Sequence, residues 1–261
     1  MRNHVLAAVC AAVCLIITAS TEAQSVPPHR LVDAPTAGTL PSRSYRLETL
    51  MFDDGGFIQS VALGATDLLT VGCSYGGTGI IGAGRVTWQP HIGFQARVRI
   101  IEESMYAPGV AVGFDSQGYG PWAPGEKLNR FRTKSRGAYI VVSRNYDMLG
   151  DLGIHGGMNV SLENDDGDED PSFWAGIDKN ILNIVELAAE YDFATNDNED
   201  DSMTAKRGYL NGAVRWCFGM NFVLEINIKN ILRNTKRDIA GVVDDKPEPS
   251  REVRFTYRSS F

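Results

Sequence analysis

Side chains that carry redox, metal or nucleophilic chemistry are scarce: the 261 residues include only 4 cysteines and 4 histidines. Cys10 and Cys14 fall inside an N-terminal apolar run, which leaves Cys73 and Cys217, too few for a disulfide framework. Runs of basic residues are missing too. With a formal net charge of −7 the chain lacks the electrostatic footprint of a nucleic-acid partner, and none is expected. No Walker motif, dinucleotide fingerprint or zinc spacing occurs. The stretches Gly76-Gly77-Thr78-Gly79 and Gly82-Ala83-Gly84 are not followed by a lysine and a helix, so loop flexibility explains them better than phosphate binding. No cofactor is expected. After the N-terminus, charges or glycines interrupt every apolar run, which excludes a later transmembrane helix.

That N-terminus is the first positive signal. Arg2 supplies a charged start, 5–19 is apolar or small, and the small-x-small run Thr21-Glu22-Ala23 precedes Gln24. This is the layout of a cleavable secretory signal peptide over 1–23, and the apolar run is shorter than the ~20 residues of a membrane anchor. Residues 24–43, rich in Pro, Ser, Thr and Ala and without periodicity, read as an extended periplasmic lead-in to a domain over 44–261.

From Ser44 onward the pattern alternates. In 91–101, Ile92, Phe94, Ala96, Val98 and Ile100 share one face while Gly93, Gln95, Arg97 and Arg99 share the other. A helix would scatter these apolar residues around its surface, whereas a strand segregates them. The same reading holds for 152–163, 185–193 and 221–229. Weaker strands fall at 45–52, 57–64, 68–75, 109–114, 137–145, 172–179, 208–218 and 251–261. The total is about twelve, an even number, and most are near the ~9–11 residues of a tilted strand crossing a bilayer. Connections alternate between long or polar (76–90, 115–136, 164–171, 194–207, 230–250) and short (65–67, 102–108, 146–151, 180–184, 219–220). The hairpin at 53–56 departs from this, being short on the long side. Sorted loops are the layout of an outer-membrane barrel with short periplasmic turns and long extracellular loops.

Alternation alone also describes a soluble sandwich or cup. The charged face carries Arg97, Arg99, Glu186, Glu190, Glu225 and Lys229, with His155 on the polar face of its strand, and these are the lumen-facing candidates. In the strand ending the chain, Val253, Phe255, Tyr257 and Phe261 share one face, similar to the C-terminal signal by which barrel-assembly machinery recognises outer-membrane barrels. Aromatic residues near strand ends, among them Tyr75, Trp88, Tyr139, Trp174 and Tyr209, suit either interfacial girdles or cross-strand packing.

The runs Gly113-Phe114-Asp115-Ser116-Gln117-Gly118-Tyr119-Gly120, Lys134-Ser135-Arg136-Gly137-Ala138-Tyr139 and Glu190-Tyr191-Asp192 resemble the YjbH-like group, loosely over Pro35 to Phe261. The resemblance implies an outer-membrane β-barrel linked to exopolysaccharide production or export, and brings no catalytic residues with it.

Two loops are acidic: Asp165-Asp166-Gly167-Asp168-Glu169-Asp170 and 196–201. Asp166, Asp168 and Asp170 are candidate calcium ligands, although the spacing is not that of an EF-hand, and a solvated loop is the favoured reading. His155, Asn159 and Ser161 share a strand face, but a Ser six residues from a His lies ~20 Å away along a strand, so no nucleophile–base pair forms between them.

The expectation is an antiparallel transmembrane β-barrel of the Gram-negative-type outer membrane with a structural or narrow-pore role. Its partners would be outer-membrane lipid and lipopolysaccharide, the assembly machinery, and polysaccharide. If lumen charges such as Arg97 and Arg99 pair with Glu186, Glu190 and Glu225 the barrel is plugged; if they segregate it conducts. The alternatives are a soluble periplasmic β-protein binding lipid or polysaccharide, and an outer-membrane lipid-modifying enzyme.

Overall fold

A computed structural model describes residues 28–125, 129–181, 184–198, 203–219, 221–234 and 249–261, and the expected signal peptide lies outside them. Among the described residues there are only strands: β1 (Ser44–Phe52), β2 (Gly56–Gly64), β3 (Leu69–Thr78), β4 (Thr87–Trp88), β5 (Gly93–Ile101), β6 (Gly109–Asp115), β7 (Tyr119–Ala123) and β8 (Arg130–Thr133). They continue with β9 (Gly137–Asp147), β10 (Asp151–Val160), β11 (Ser172–Ile181), β12 (Val185–Asp192), β13 (Tyr209–Phe218), β14 (Phe222–Lys229) and β15 (Ser250–Ser260). Twelve of them form one antiparallel ring. β1 pairs with β2 on one side and with β15 on the other, so the sheet has no free edge there.

Closure and side-chain polarity together identify the solvent. The outward face carries Phe94 (59% exposed), Ile177 (50%), Ile154 (47%) and Val98 (42%), while Arg254 (1%), Glu190 (1%), Asn227 (0%) and Arg215 (5%) are buried inside. A water-soluble protein sorts residues the other way. Hydrocarbon outside accounts for the apolar face, and only a closed ring satisfies every backbone group there. The chain is a membrane-spanning type of β-barrel.

The alternating runs appear as strands with small boundary shifts of physical origin. β10 stops at Val160 because the Ser161 hydroxyl turns to accept from the Glu163 amide. β3 runs to Thr78 because Gly77 and Thr78 pair with Trp88 and Thr87. The short hairpin on the long-loop side turns at Asp54 and Gly55, both at positive φ (62° and 63°), with the Gly56 amide donating to the Asp53 carbonyl at 3.2 Å. The neighbouring loop leans over it, donating from Gly79 to the Asp54 carbonyl and from Ile80 to that of Gly55.

Of residues 24–43, whose composition reads as an extended periplasmic lead-in, 41–43 are exposed ahead of β1, and 28–40 lie inside the barrel instead. They fold into a hairpin, closed by the Arg30–Pro35 bridge and a Leu31 N to Ala34 O bond of 2.8 Å. Leu31, Val32 and Ala34 are fully buried. They pack against Ala111, Val141, Trp174, Ala188 and Ala213 on the inner wall, where small side chains leave the room. The wall is fitted closely: a Cβ on Gly176 would lie 2.5 Å from Leu31 Cδ1.

Candidate functional site: the occupied lumen

The hairpin tip meets a carboxylate. Glu190, on the inward face of β12, accepts from the amides of Val32 (2.9 Å), Asp33 (3.0 Å) and Ala34 (2.8 Å), and from the Asn211 side chain (2.8 Å). Three successive N–H groups converging on one anion form a nest, and bonds to a charged acceptor contribute ~1.5–3 kcal/mol each. The carbonyls of the segment are held by guanidinium groups. Arg97 donates to His29 O (2.7 Å) and Gly38 O (2.8 Å), Arg215 to Arg30 O (3.0 Å), and Arg254 to Val32 O (3.0 Å).

Beneath the hairpin, charges alternate across neighbouring strands. Glu186 pairs with Arg215, Arg215 with Glu225, Glu225 with Arg254 (2.5 Å), Arg254 with Glu48 (3.6 Å), and Glu48 with Arg30 of the hairpin. Lys229 joins Asp33 (2.5 Å) to Glu252 (3.2 Å) and lies over the Tyr119 ring. Lumen charges therefore pair, as a plugged barrel requires, but Arg97 takes no part in the ladder. β5 stands across the ring from β12–β14 with the hairpin between, so Arg97 turns to the hairpin's carbonyls and the Tyr139 hydroxyl (2.9 Å). Arg99 sits at the short-turn rim, against Glu102 (3.5 Å) and the Asp67 carbonyl (3.2 Å).

His155 joins two residues that the spacing along its own strand does not reveal. Its Nδ1 is 2.7 Å from Ser143 Oγ on β9 and its Nε2 is 2.6 Å from Asp178 on β11. In the tautomer whose Nε2–H donates to the Asp178 carboxylate, Nδ1 accepts from the Ser143 hydroxyl. The Ser143 oxygen in turn accepts from the Ala37 amide at 2.8 Å. Ser161 and Asn159 are not members of this chain of bonds. The cross-strand register His155↔Ser143 creates the contact, and sequence spacing within one strand carries no sign of it.

The long-loop mouth is partly covered. Between β6 and β9 the chain forms the β7–β8 hairpin, whose Tyr119 packs on Leu50, Phe52 and Ile58 and accepts from Arg30 at 3.2 Å. A cavity of about 690 Å³ remains there, bordered by Asp33, Tyr119, Arg136, Asp192, Lys229 and Glu252. Arg136 and Asp192 pair at 2.6 Å, and the Arg136 guanidinium stacks over Trp174. Three of the aromatics that suit interfacial girdles, Tyr139, Trp174 and Tyr209, thus turn inward, whereas Tyr75 and Trp88 stack on the outside. The three motifs that carry the family resemblance converge on this lumen through Tyr119, Arg136, Tyr139, Glu190 and Asp192.

Further out, Arg130 is fully buried between Asp197 (2.8 Å) and Asp166 (3.4 Å), and Lys134 donates to Asp166 (2.8 Å). The Asp168 carboxylate accepts from the amides of Asp170 and Asn198. Asp166 and Asp168 are thus engaged within the loops, and among the described residues no group of three His, Cys, Asp or Glu side chains is arranged to hold a metal ion. Glu163 accepts from the Phe131 amide at 3.1 Å. Burial pushes its carboxyl up to about 7, against the opposing hydrogen bonds from Ser135 and Phe131.

Phe255 is half-buried and Tyr257 is exposed, with Tyr257 6.2 Å from the Tyr45 ring. Phe261 is 77% exposed, and its amide donates to Arg43 O. Cys73 is exposed and Cys217 half-buried, both free.

No protein-family model and no curated protein matches the chain. Solved structures do. A KdgM porin is 13% identical with a TM-score of 0.47, the match covering 84% of this chain and 99% of that one. A KdgM porin in complex with disordered oligogalacturonate gives 12%, 84% and 99% with a TM-score of 0.48. A NanC porin gives 10%, 83% and 99% with a TM-score of 0.45. At such identities and scores the likeness bears on neither substrate nor partner.

Proposed function

We propose that this protein is an outer-membrane barrel forming a narrow pore, held closed in the present conformation by residues 28–40. One observation carries the reading: a polar, charge-lined interior is occupied by a segment tied to it through its backbone amides and carbonyls. About eight strands make an interior that wall side chains alone can fill, and the wider ring of twelve leaves room that the segment occupies. The polar cavity at the long-loop mouth, ending at Asp33 on the hairpin, suits the vestibule of a closed channel. Lipid and lipopolysaccharide surround such a barrel, and assembly machinery inserts it. The link to exopolysaccharide rests on the motif resemblance and on the polar character of that vestibule. Planar-bilayer recording of the purified full chain tests the pore: brief, low-probability ion currents support it, and their absence under every voltage and salt condition argues for a structural barrel.

The Ser143–His155–Asp178 contact favours a second reading, an outer-membrane lipid-modifying enzyme, because it joins a hydroxyl, a base and an orienting carboxylate. In this conformation the hydroxyl lies beneath Ala37. Ester hydrolysis by the full chain that disappears in Ser143→Ala and in His155→Ala would establish it; hydrolysis absent, or unchanged in either variant, removes it.

A further inference from the structure

The interior of the barrel reads residues 28–40 by their main chain. Glu190 takes three consecutive amides, Ser143 and Thr70 take those of Ala37 and Leu40, and Arg97, Arg215 and Arg254 take four carbonyls. Side chains of the segment add apolar contacts to Ala111, Val141, Trp174, Ala188 and Ala213, and the charge pairs Arg30–Glu48 and Asp33–Lys229. Recognition of backbone polarity along an extended segment, with shallow seats for small side chains, is how proteins bind peptides. The segment joins no strand of the ring. Its only bridge is internal, between Arg30 and Pro35, and space of about 690 Å³ borders its tip.

We propose that the lumen is a peptide-backbone binding site whose resident ligand, residues 28–40 of this chain, is displaceable, and that its departure opens the pore. This rests on the pore reading above. Release of residues 28–40 breaks no strand pairing of the barrel, because every bond from the barrel to their main chain comes from a luminal side chain. The element that must let go is Glu190, which sits across the ring from Arg97, so the hairpin is held from two opposite walls and loosens when either is lost.

The geometry supplies its own lock. A Cβ on Gly109 lies 3.6 Å from Ala37 Cβ, within the ~3.5–4.5 Å of a disulfide. In a Cys73→Ser, Cys217→Ser background, the full chain carrying Ala37→Cys and Gly109→Cys is recorded in planar bilayers, oxidised and reduced, with and without Glu190→Ala. Glu190→Ala is expected to raise open probability at least tenfold over the parent. The disulfide is expected to silence that current, and reductant to restore it. Equal currents from oxidised and reduced forms overturn the displaceable segment while leaving the pore intact. No current from any folded form overturns both. If Glu190→Ala loses the compact migration of the unboiled barrel, the lock alone decides: rare openings of the reduced parent must vanish on oxidation, and openings that persist contradict the proposal.

Discussion

Arg46 and Arg258 stand directly opposite each other across the β1–β15 pair that closes the barrel, both on the strand faces turned inward. Arg46 is 3% exposed and its nearest carboxylate, Glu48, is 3.9 Å away and is also approached by Arg30, His29 and Arg254. Like charges directly opposed across a strand pair are unfavourable. Arg258→Glu is therefore expected to stabilise the barrel by roughly 0.2–1 kcal/mol, read as a higher urea midpoint after refolding in detergent. A lower midpoint would show that Arg258 has a favourable role in the lumen that its neighbours do not reveal.

The ladder from Glu186 to Arg30 makes Glu225 a shared anion between Arg215 and Arg254. Glu225→Gln leaves two buried guanidinium groups short of a counter-charge, a loss of about 3–5 kcal/mol for a broken buried pair. Adding Arg254→Gln should cost less than the sum of the two single changes, because part of the first loss is the stranded cation. Additive costs in the urea titrations would mean that the pair is uncoupled.

Opposite faces of β5 should respond differently. Val98 points outward and is 42% exposed, so Val98→Arg places a charge in hydrocarbon at ~2–4 kcal/mol near the midplane. Arg97→Ala, on the inward face, should leave the barrel folded while removing the bonds to His29 O and Gly38 O. Hydrogen exchange of residues 28–40 should then accelerate with little change in the strands. Protection of that segment unchanged by Arg97→Ala would contradict the anchoring described above.

Glu163 gives the mouth a pH dependence whose sign follows from its raised pKa. Its carboxyl titrates at about 7 in the folded loops against a usual 4.5, so the folded state holds the proton more tightly. Contacts there are strongest below about 4.5 and weaken as pH rises through about 7. Limited proteolysis at 129–135 and 161–166 should be faster at pH 8 than at pH 5.5 on comparison with an exposed control site. Glu163→Gln should flatten the difference, and an unchanged pH dependence in that variant assigns it to another group.

The ring of strands was readable because lipid demands an apolar residue at every second position: Phe94, Ala96, Val98 and Ile100 announce β5 without any knowledge of its neighbours. Turn chemistry such as Asp54-Gly55 was equally local. The occupied lumen was not readable. Residues 28–40 are held largely through amides and carbonyls, which every residue possesses, and the few side-chain pairs, Arg30 with Glu48 and Asp33 with Lys229, form no periodic pattern in the sequence. Glu190 and Arg97 could be placed on an inward face by parity, but not matched to partners, because pairing inside a barrel depends on which strands face across the ring. Ser143 and Asp178 were missed for a related reason: they meet His155 through register with β9 and β11. Following parity outward from His155 onto the two neighbouring strands is the signal that would have found them.

The most direct test of the inverted polarity on which everything else depends is fractionation of cells expressing the full chain, followed by gel mobility with and without boiling. Recovery in the outer membrane, with unboiled protein migrating as a compact species and boiled protein near its 28.5 kDa chain mass or slightly below it after processing, is the predicted result. Recovery in the soluble periplasm with mobility indifferent to boiling would contradict a membrane barrel.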